Sequence, residues 1–156
     1  MRIENNYKDE EKLFSFKLNT FEEFDRLFIK LEKYSVFWQK AHSFYEMKKP
    51  VILCFSEELD FLSIINQFNE IEKILAANRA KAKKEEETLI KMSKILEDDL
   101  DLTREFILLS YNILIVDNLD DNLRMKIIEM LESKKLEQSC KLIIENVLKI
   151  RNYSLV

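Results

Sequence analysis

Apolar residues recur at intervals of three and four positions along most of this chain, which is the spacing of one face of an α-helix. The first regular stretch opens with Thr20-Phe21-Glu22-Glu23, a capping box whose first and last side chains can bond to backbone amides at a helix start. It ends near Met47, because in Lys48-Lys49-Pro50 the residue before the proline avoids the helical conformation. The pattern predicts a first helix with an aromatic inner stripe, formed by Phe24, Phe28, Leu31, Trp38 and Tyr45.

The most regular stripe covers residues 61–96, with the alternating steps of three and four that are typical of coiled coils. Its middle is weakly apolar, since the stripe positions there hold Asn78, Ala82 and Glu85. A turn within residues 78–84 would divide the stripe into two helices. Because neither glycine nor proline occurs there, the sequence favours one unbroken helix of roughly 40 residues, about 60 Å long at 1.5 Å per residue.

Shorter helical patterns follow an acidic stretch at residues 97–101, which is predicted to be a linker. They predict helices at about residues 102–116, 119–133 and 136–150. Three segments also fit a short strand, because their apolar residues alternate or are continuous: residues 13–18, 51–55 and 111–116. For the second of these, a helix start at Pro50 is favoured over a strand. The predicted fold class is all-α or nearly so, as a single helical domain over residues 1–156. We expect a bundle of four to five helices with one long central helix and a possible short N-terminal strand.

Composition supports this prediction, since the 156 residues contain no glycine and only one proline. Phosphate-binding loops, dinucleotide-binding motifs and nucleophile elbows need glycine, because their backbone takes positive φ or lies against a ligand. The net charge of −4 argues against a nucleic-acid-binding surface. No apolar run reaches the ~18 residues that span a membrane, and residues 1–11 show no secretory signal. We therefore expect a cytoplasmic protein.

Candidate chemistry is sparse. His42 is the only histidine, and with Glu46 alone beside it a structural or surface role is expected. Residues 117–122 carry oxygen ligands but lack the glycine and final glutamate of a calcium loop, so a helix cap is expected there. Cys54 and Cys140 are expected to be buried, reduced thiols. The sequence predicts a non-enzymatic protein with no catalytic residue, no cofactor site and no metal site.

Binding to another protein is the predicted function, by insertion of an amphipathic helix into a groove. The predicted partner-binding residues form the stripe of the C-terminal helix: Leu136, Cys140, Ile143, Val147 and Ile150. One alternative is a homodimeric coiled coil through residues 61–96, in which Asn78 would be the buried polar residue that sets the register. Another is a small immunity or antitoxin-like binding protein.

The segment at residues 44–84 resembles the central region of the FlgN-like flagellar export chaperones, which hold hook-associated proteins before secretion. The resemblance covers about a quarter of the chain. It rests on Glu57-Glu58-Leu59, Ile64-Ile65, Ile71-Glu72-Lys73-Ile74-Leu75 and Arg79. It implies a cytosolic secretion chaperone whose client-binding helix corresponds to residues 140–150. The aromatic first helix and the possible N-terminal strand depart from the family's pattern.

Overall fold

The chain forms five α-helices in the computed structural model, which describes the backbone of residues 2–56 and 58–155 and the side chains of residues 21–56 and 58–155. The helices are α1 (Arg2–Leu53), α2 (Phe61–Ala80), α3 (Glu87–Ile115), α4 (Asp121–Glu132) and α5 (Gln138–Ile150). No strand occurs in the described backbone, so the predicted all-α class with four to five helices is confirmed. The chain divides into two compact units, Met1–Val36 and Phe37–Val156, and α1 contributes residues to both.

Helix α1 extends beyond both predicted ends of the first helix. It begins at Arg2 and includes residues 13–18, so no strand forms there; Thr20 lies within the helix, and its side chain is outside those described. The helix also continues through Pro50, although proline cannot donate the usual hydrogen bond to the preceding turn. The last turn is retained because Val51 is fully buried and the carbonyl of Pro50 accepts the amide of Cys54 at 2.9 Å. Residues 54–56 are irregular, so segment 51–55 is neither a strand nor a helix start.

Residues 81–86 reverse the chain between α2 and α3, so the favoured unbroken helix over residues 61–96 is not formed. Two salt bridges show that the helices are antiparallel: Arg79 pairs with Glu97, and Arg104 pairs with Glu72. The second pair lies seven residues earlier than the first on α2 but seven residues later on α3, so the two helices run in opposite directions. The reversal lets the two apolar halves of the stripe be buried within one chain: Phe68, Ile71 and Leu75 on α2, and Leu89 and Leu96 on α3.

Helix α3 is central to the second unit, since α2, α4 and α5 all pack against it. It runs unbroken through residues 97–101, so the predicted acidic linker is wrong. Leu96, Leu100 and Thr103 are buried across that stretch, which keeps the helical stripe continuous despite the acidic residues between them. Helices α4 and α5 lie within about two residues of their predicted bounds.

Candidate functional site

The predicted partner-binding stripe lies mainly inside the second unit. Leu136, Cys140 and Val147 are buried, Ile143 is half-buried, and only Ile150 is largely exposed. Helix α5, which carries four of these residues, packs against α3 and α4. A partner could reach the three buried side chains only if α5 left its place on these helices. Partner binding by this stripe stays a prediction, with that condition added.

Lys48 joins three helices of the second unit through one buried charge. Its Nζ lies 2.5 Å from a carboxylate oxygen of Glu137, at the start of α5, and 3.6 Å from one of Asp99 on α3. Burial lowers the pKa of Lys48, but the Glu137 hydrogen bond and the charge of Asp99 outweigh it, so the pKa rises above the ordinary lysine value. The ammonium stays charged at neutral pH and acts as a structural cross-link.

The other candidate groups from the sequence are the two cysteines and the single histidine. Cys140 is buried, and burial raises the pKa of its thiol, which disfavours the nucleophilic thiolate. Cys54 is exposed, so the expectation that both thiols are buried is wrong for it. His42 is also exposed. The pKa of neighbouring Glu46 is lowered mainly by its hydrogen bond with Lys49, and His42 contributes least.

The helix cap predicted within residues 117–122 is confirmed at Asp120, which precedes α4. The carboxylate of Asp120 accepts the amide of Leu123 at 2.7 Å, and Asp121 pairs with Arg124 at 3.4 Å. Within the described residues, no group of three or more His, Cys, Asp or Glu side chains could hold a metal ion.

Among the described side chains, a cluster of exposed large apolar residues lies on α1 in the first unit. Five side chains there have exposed fractions between 52% and 68%. We call them the α1 row: Phe21, Phe24, Leu27, Phe28 and Leu31. Four of them follow steps of three, four and three, so they form one stripe of the helix, and Leu27 borders that stripe. Contiguous exposed apolar surface of this kind marks interaction sites in globular proteins.

The predicted inner stripe of the first helix is therefore wrong. Phe24, Phe28 and Leu31 are exposed in the first unit, and Trp38 and Tyr45 are exposed in the second. The buried α1 residues of the second unit follow the same heptad steps on a different face: Phe37, Ala41, Phe44, Lys48 and Val51. Heptad spacing alone fits both faces, so the sequence carries no signal that distinguishes the buried one.

Two acidic residues flank the α1 row. If Phe21 and Phe24 are heptad positions a and d, then Asp25 and Glu32 both occupy position e, and Leu27 occupies position g. Position e residues lie beside the seam and face the flanking residues of a partner helix. The row is therefore an apolar seam with an acidic border on one side and an apolar border on the other.

Comparison with protein-family models, curated proteins and solved structures finds no match to this chain. Among the described residues, no helix combines the length and the apolar character needed to cross a membrane.

Proposed function

We propose that this chain is a non-enzymatic protein that binds an amphipathic helix of another protein along the α1 row. The observation that carries the proposal is the exposure of five large apolar side chains within about three helical turns. Each side chain contributes about 1.5–3 kcal/mol when it is fully buried. These side chains are already partly buried and gain only part of that amount, so net affinity requires that the partner helix buries a matching apolar face against the ~4–15 kcal/mol that association costs in lost freedom.

The border of the row favours a different protein over a second copy of this chain. In an antiparallel pair of copies, position e faces position e, so the acidic groups of Asp25 and Glu32 would oppose each other. In a parallel pair, Glu32 would face Leu27, which offers no charge partner. A partner helix with Lys or Arg at its flanking positions relieves both mismatches.

The resemblance of residues 44–84 to FlgN-like chaperones extends the proposal to a partner class. Under this more specific form, the protein is a cytoplasmic secretion chaperone, and the bound helix belongs to a hook-associated flagellar protein. The immunity or antitoxin-like alternative differs in the identity of the partner, and self-association along the α1 row would give a second copy of the chain, so one experiment can separate them. The homodimeric coiled coil predicted through residues 61–96 would need an unbroken helix there, whereas residues 81–86 reverse the chain.

Site-specific photo-crosslinking in the native cell tests the proposal. A benzophenone amino acid replaces Phe28 in one variant and Lys30 in a matched control, which is exposed on the same helix but outside the row. We expect the first variant to give an adduct with one other protein and the control to give none. The purified partner should then bind the double variant Phe24→Asp/Phe28→Asp at least about tenfold more weakly than the unmodified chain.

Three results would contradict the proposal. An adduct of twice the chain's mass would indicate self-association, and equal adducts from both positions would indicate non-specific contact. Undiminished binding of the purified partner by the double variant would exclude the row as the binding surface. A hook-associated partner would support the chaperone form, whereas a toxin would support the immunity or antitoxin alternative.

A further inference from the structure

A second surface with different chemistry lies between α3 and α4. A cavity of about 620 Å³ separates these helices, and an adjoining cavity of about 560 Å³ continues along α3; they share Leu102 and Glu105. Together they border α3 from Ile95 to Asn112, which is about 25 Å at 1.5 Å per residue. We call this the α3–α4 groove. Its elongated form fits a helical segment rather than a compact small molecule.

The floor of the α3–α4 groove is apolar and accessible. Leu108 is 44% exposed, and Ile95, at the open end, is 69% exposed. The facing α4 side contributes Leu123 and Met130, which are half-buried and seven residues apart. Since seven residues make about two helical turns, these side chains lie on one face of α4. An apolar stripe on a bound helix would therefore contact the apolar residues of both α3 and α4.

Acidic side chains dominate the rim. Asp98, Glu105 and Glu129 line the groove and have no salt-bridge partner within 4 Å among the described residues. Two further acids, Asp99 and Asp101, are paired with Lys48 and Arg104. The basic lining consists of Lys126 and Lys135, so five acidic residues face two basic ones.

The pKa of Asp101 is raised mainly by burial and by the charge of Glu72 on α2, which does not line the groove. Glu105 in the groove adds a smaller increase, and the charge of Arg104 opposes it. A cationic side chain at the rim would meet Asp98, Glu105 and Glu129, which have no salt-bridge partner within 4 Å among the described residues.

We infer that the α3–α4 groove binds a basic amphipathic helix of another protein, with leucine-like side chains on the floor and lysines or arginines against Asp98, Glu105 and Glu129. The inference does not rest on the proposed function of the α1 row, because the two surfaces share no residue. The α1 row itself is not a suitable occupant, since the charged residues that border it, Asp25 and Glu32, are acidic.

Two designed peptides of about 18 residues test the inference, because this length spans about 27 Å as a helix. Both carry leucine at heptad positions a and d; one has lysine at the remaining positions, and the other has glutamate. Binding to the full chain is measured by fluorescence anisotropy at two salt concentrations. We expect the lysine peptide to bind at least about tenfold more tightly than the glutamate peptide, with the preference falling at high salt.

Matched variants locate the binding. Glu105→Lys/Glu129→Lys should lower the affinity for the lysine peptide about tenfold. The control Glu70→Lys/Glu145→Lys gives the chain the same net charge but alters exposed residues outside the groove, so it should change this affinity less than about twofold. Leu108→Asp should abolish binding. Leu142→Asp, on a side chain of similar exposure on α5, should leave it intact.

Several outcomes would overturn the inference. Equal affinity for both peptides would mean that the acidic rim does not select its partner. Equal loss in the two charge-reversed pairs would mean that net charge alone attracts the peptide. Intact binding in Leu108→Asp, with circular dichroism unchanged, would exclude the groove floor. Loss of binding in Phe24→Asp/Phe28→Asp would place the peptide on the α1 row instead.

Discussion

Lys48 and Lys49 are adjacent in the sequence but have opposite surroundings. Lys48 is buried between Glu137 and Asp99, whereas Lys49 is exposed and pairs with Glu46 at 3.0 Å, three residues away on the same helix. A surface pair of this kind contributes little, because water screens it and both side chains lose freedom. The buried cross-link connects α1 residues of the second unit to α3 and α5, so its loss would weaken the packing of three helices.

We expect Lys48→Ala to lower the free energy of unfolding by about 2 kcal/mol, below the usual cost for a buried pair because Glu137 is half-exposed and can be rehydrated. Lys49→Ala is the control and should cost less than about 0.5 kcal/mol. Urea titrations followed by circular dichroism measure both.

The pKa of Lys48 sets the pH dependence of this difference. Because the folded pKa lies above the ordinary value, the stabilisation is fully present below about pH 10.4 and is lost as the pH rises through the folded pKa. The gap between Lys48→Ala and the unmodified chain should therefore be constant from pH 7 to about pH 10 and close above that. A gap that is independent of pH up to pH 12 would show that lost packing, not charge, causes the destabilisation.

Among the structural elements, the sequence predicted the presence of helices better than the residues at which they begin and end. Helices α4 and α5 were predictable because polar residues at 117–122 and 133–135 separate regular apolar patterns, and Asp120 is a capping residue. The break at residues 81–86 was not, because local propensity there favours a helix. Packing of α2 against α3, together with the Arg79 and Arg104 salt bridges, stabilises the hairpin, and these contacts exist only after reversal.

The candidate sites, like the helices, could be predicted only in part from the sequence. The sequence indicated that amphipathic faces carry the function, but periodicity does not report which face the fold covers. The α5 stripe was chosen for its regular spacing, and α5 packing against α3 then buries most of it. The exposed α1 row had the spacing and aromatic content of a core stripe. The α3–α4 groove joins residues about 20 positions apart, so no local pattern could have predicted it.

Two substitutions in the same stripe of α5, one at a buried and one at an exposed residue, test whether this helix stabilises the fold. Val147→Asp places a charge where the side chain is buried, so we expect the free energy of unfolding to fall by about 3–5 kcal/mol. Ile150→Asp makes the same chemical change at an exposed position and should cost less than about 0.5 kcal/mol. Thermal unfolding of the two variants measures the difference. A similar loss in both, or in neither, would contradict the observed packing of α5.

For the whole molecule, the two proposed binding surfaces lie outside the most deeply buried side chains of the second unit. The buried side chains of the second unit include Phe44, Phe68, Phe106 and Ile144, and none of them belongs to the α1 row or the α3–α4 groove rim. The two surfaces also differ in chemistry, since one is an aromatic seam and the other an acidic groove. Such a molecule could hold two helical segments at once, from one partner or from two.

This separation predicts that the two surfaces can be disabled one at a time. Phe24→Asp/Phe28→Asp should weaken binding of the crosslinked partner at least about tenfold but leave the affinity for the lysine peptide within about twofold, and Glu105→Lys/Glu129→Lys should do the reverse. Because all four residues are exposed, the free energy of unfolding of the combined variant should lie within about 1 kcal/mol of that of the unmodified chain, and its binding of both ligands should be weakened about tenfold. Titrating each ligand in the presence of saturating amounts of the other measures any coupling. If one surface's variants abolish binding at the other while circular dichroism is unchanged, the two surfaces belong to one site, and the assignment of a separate basic partner to the groove fails.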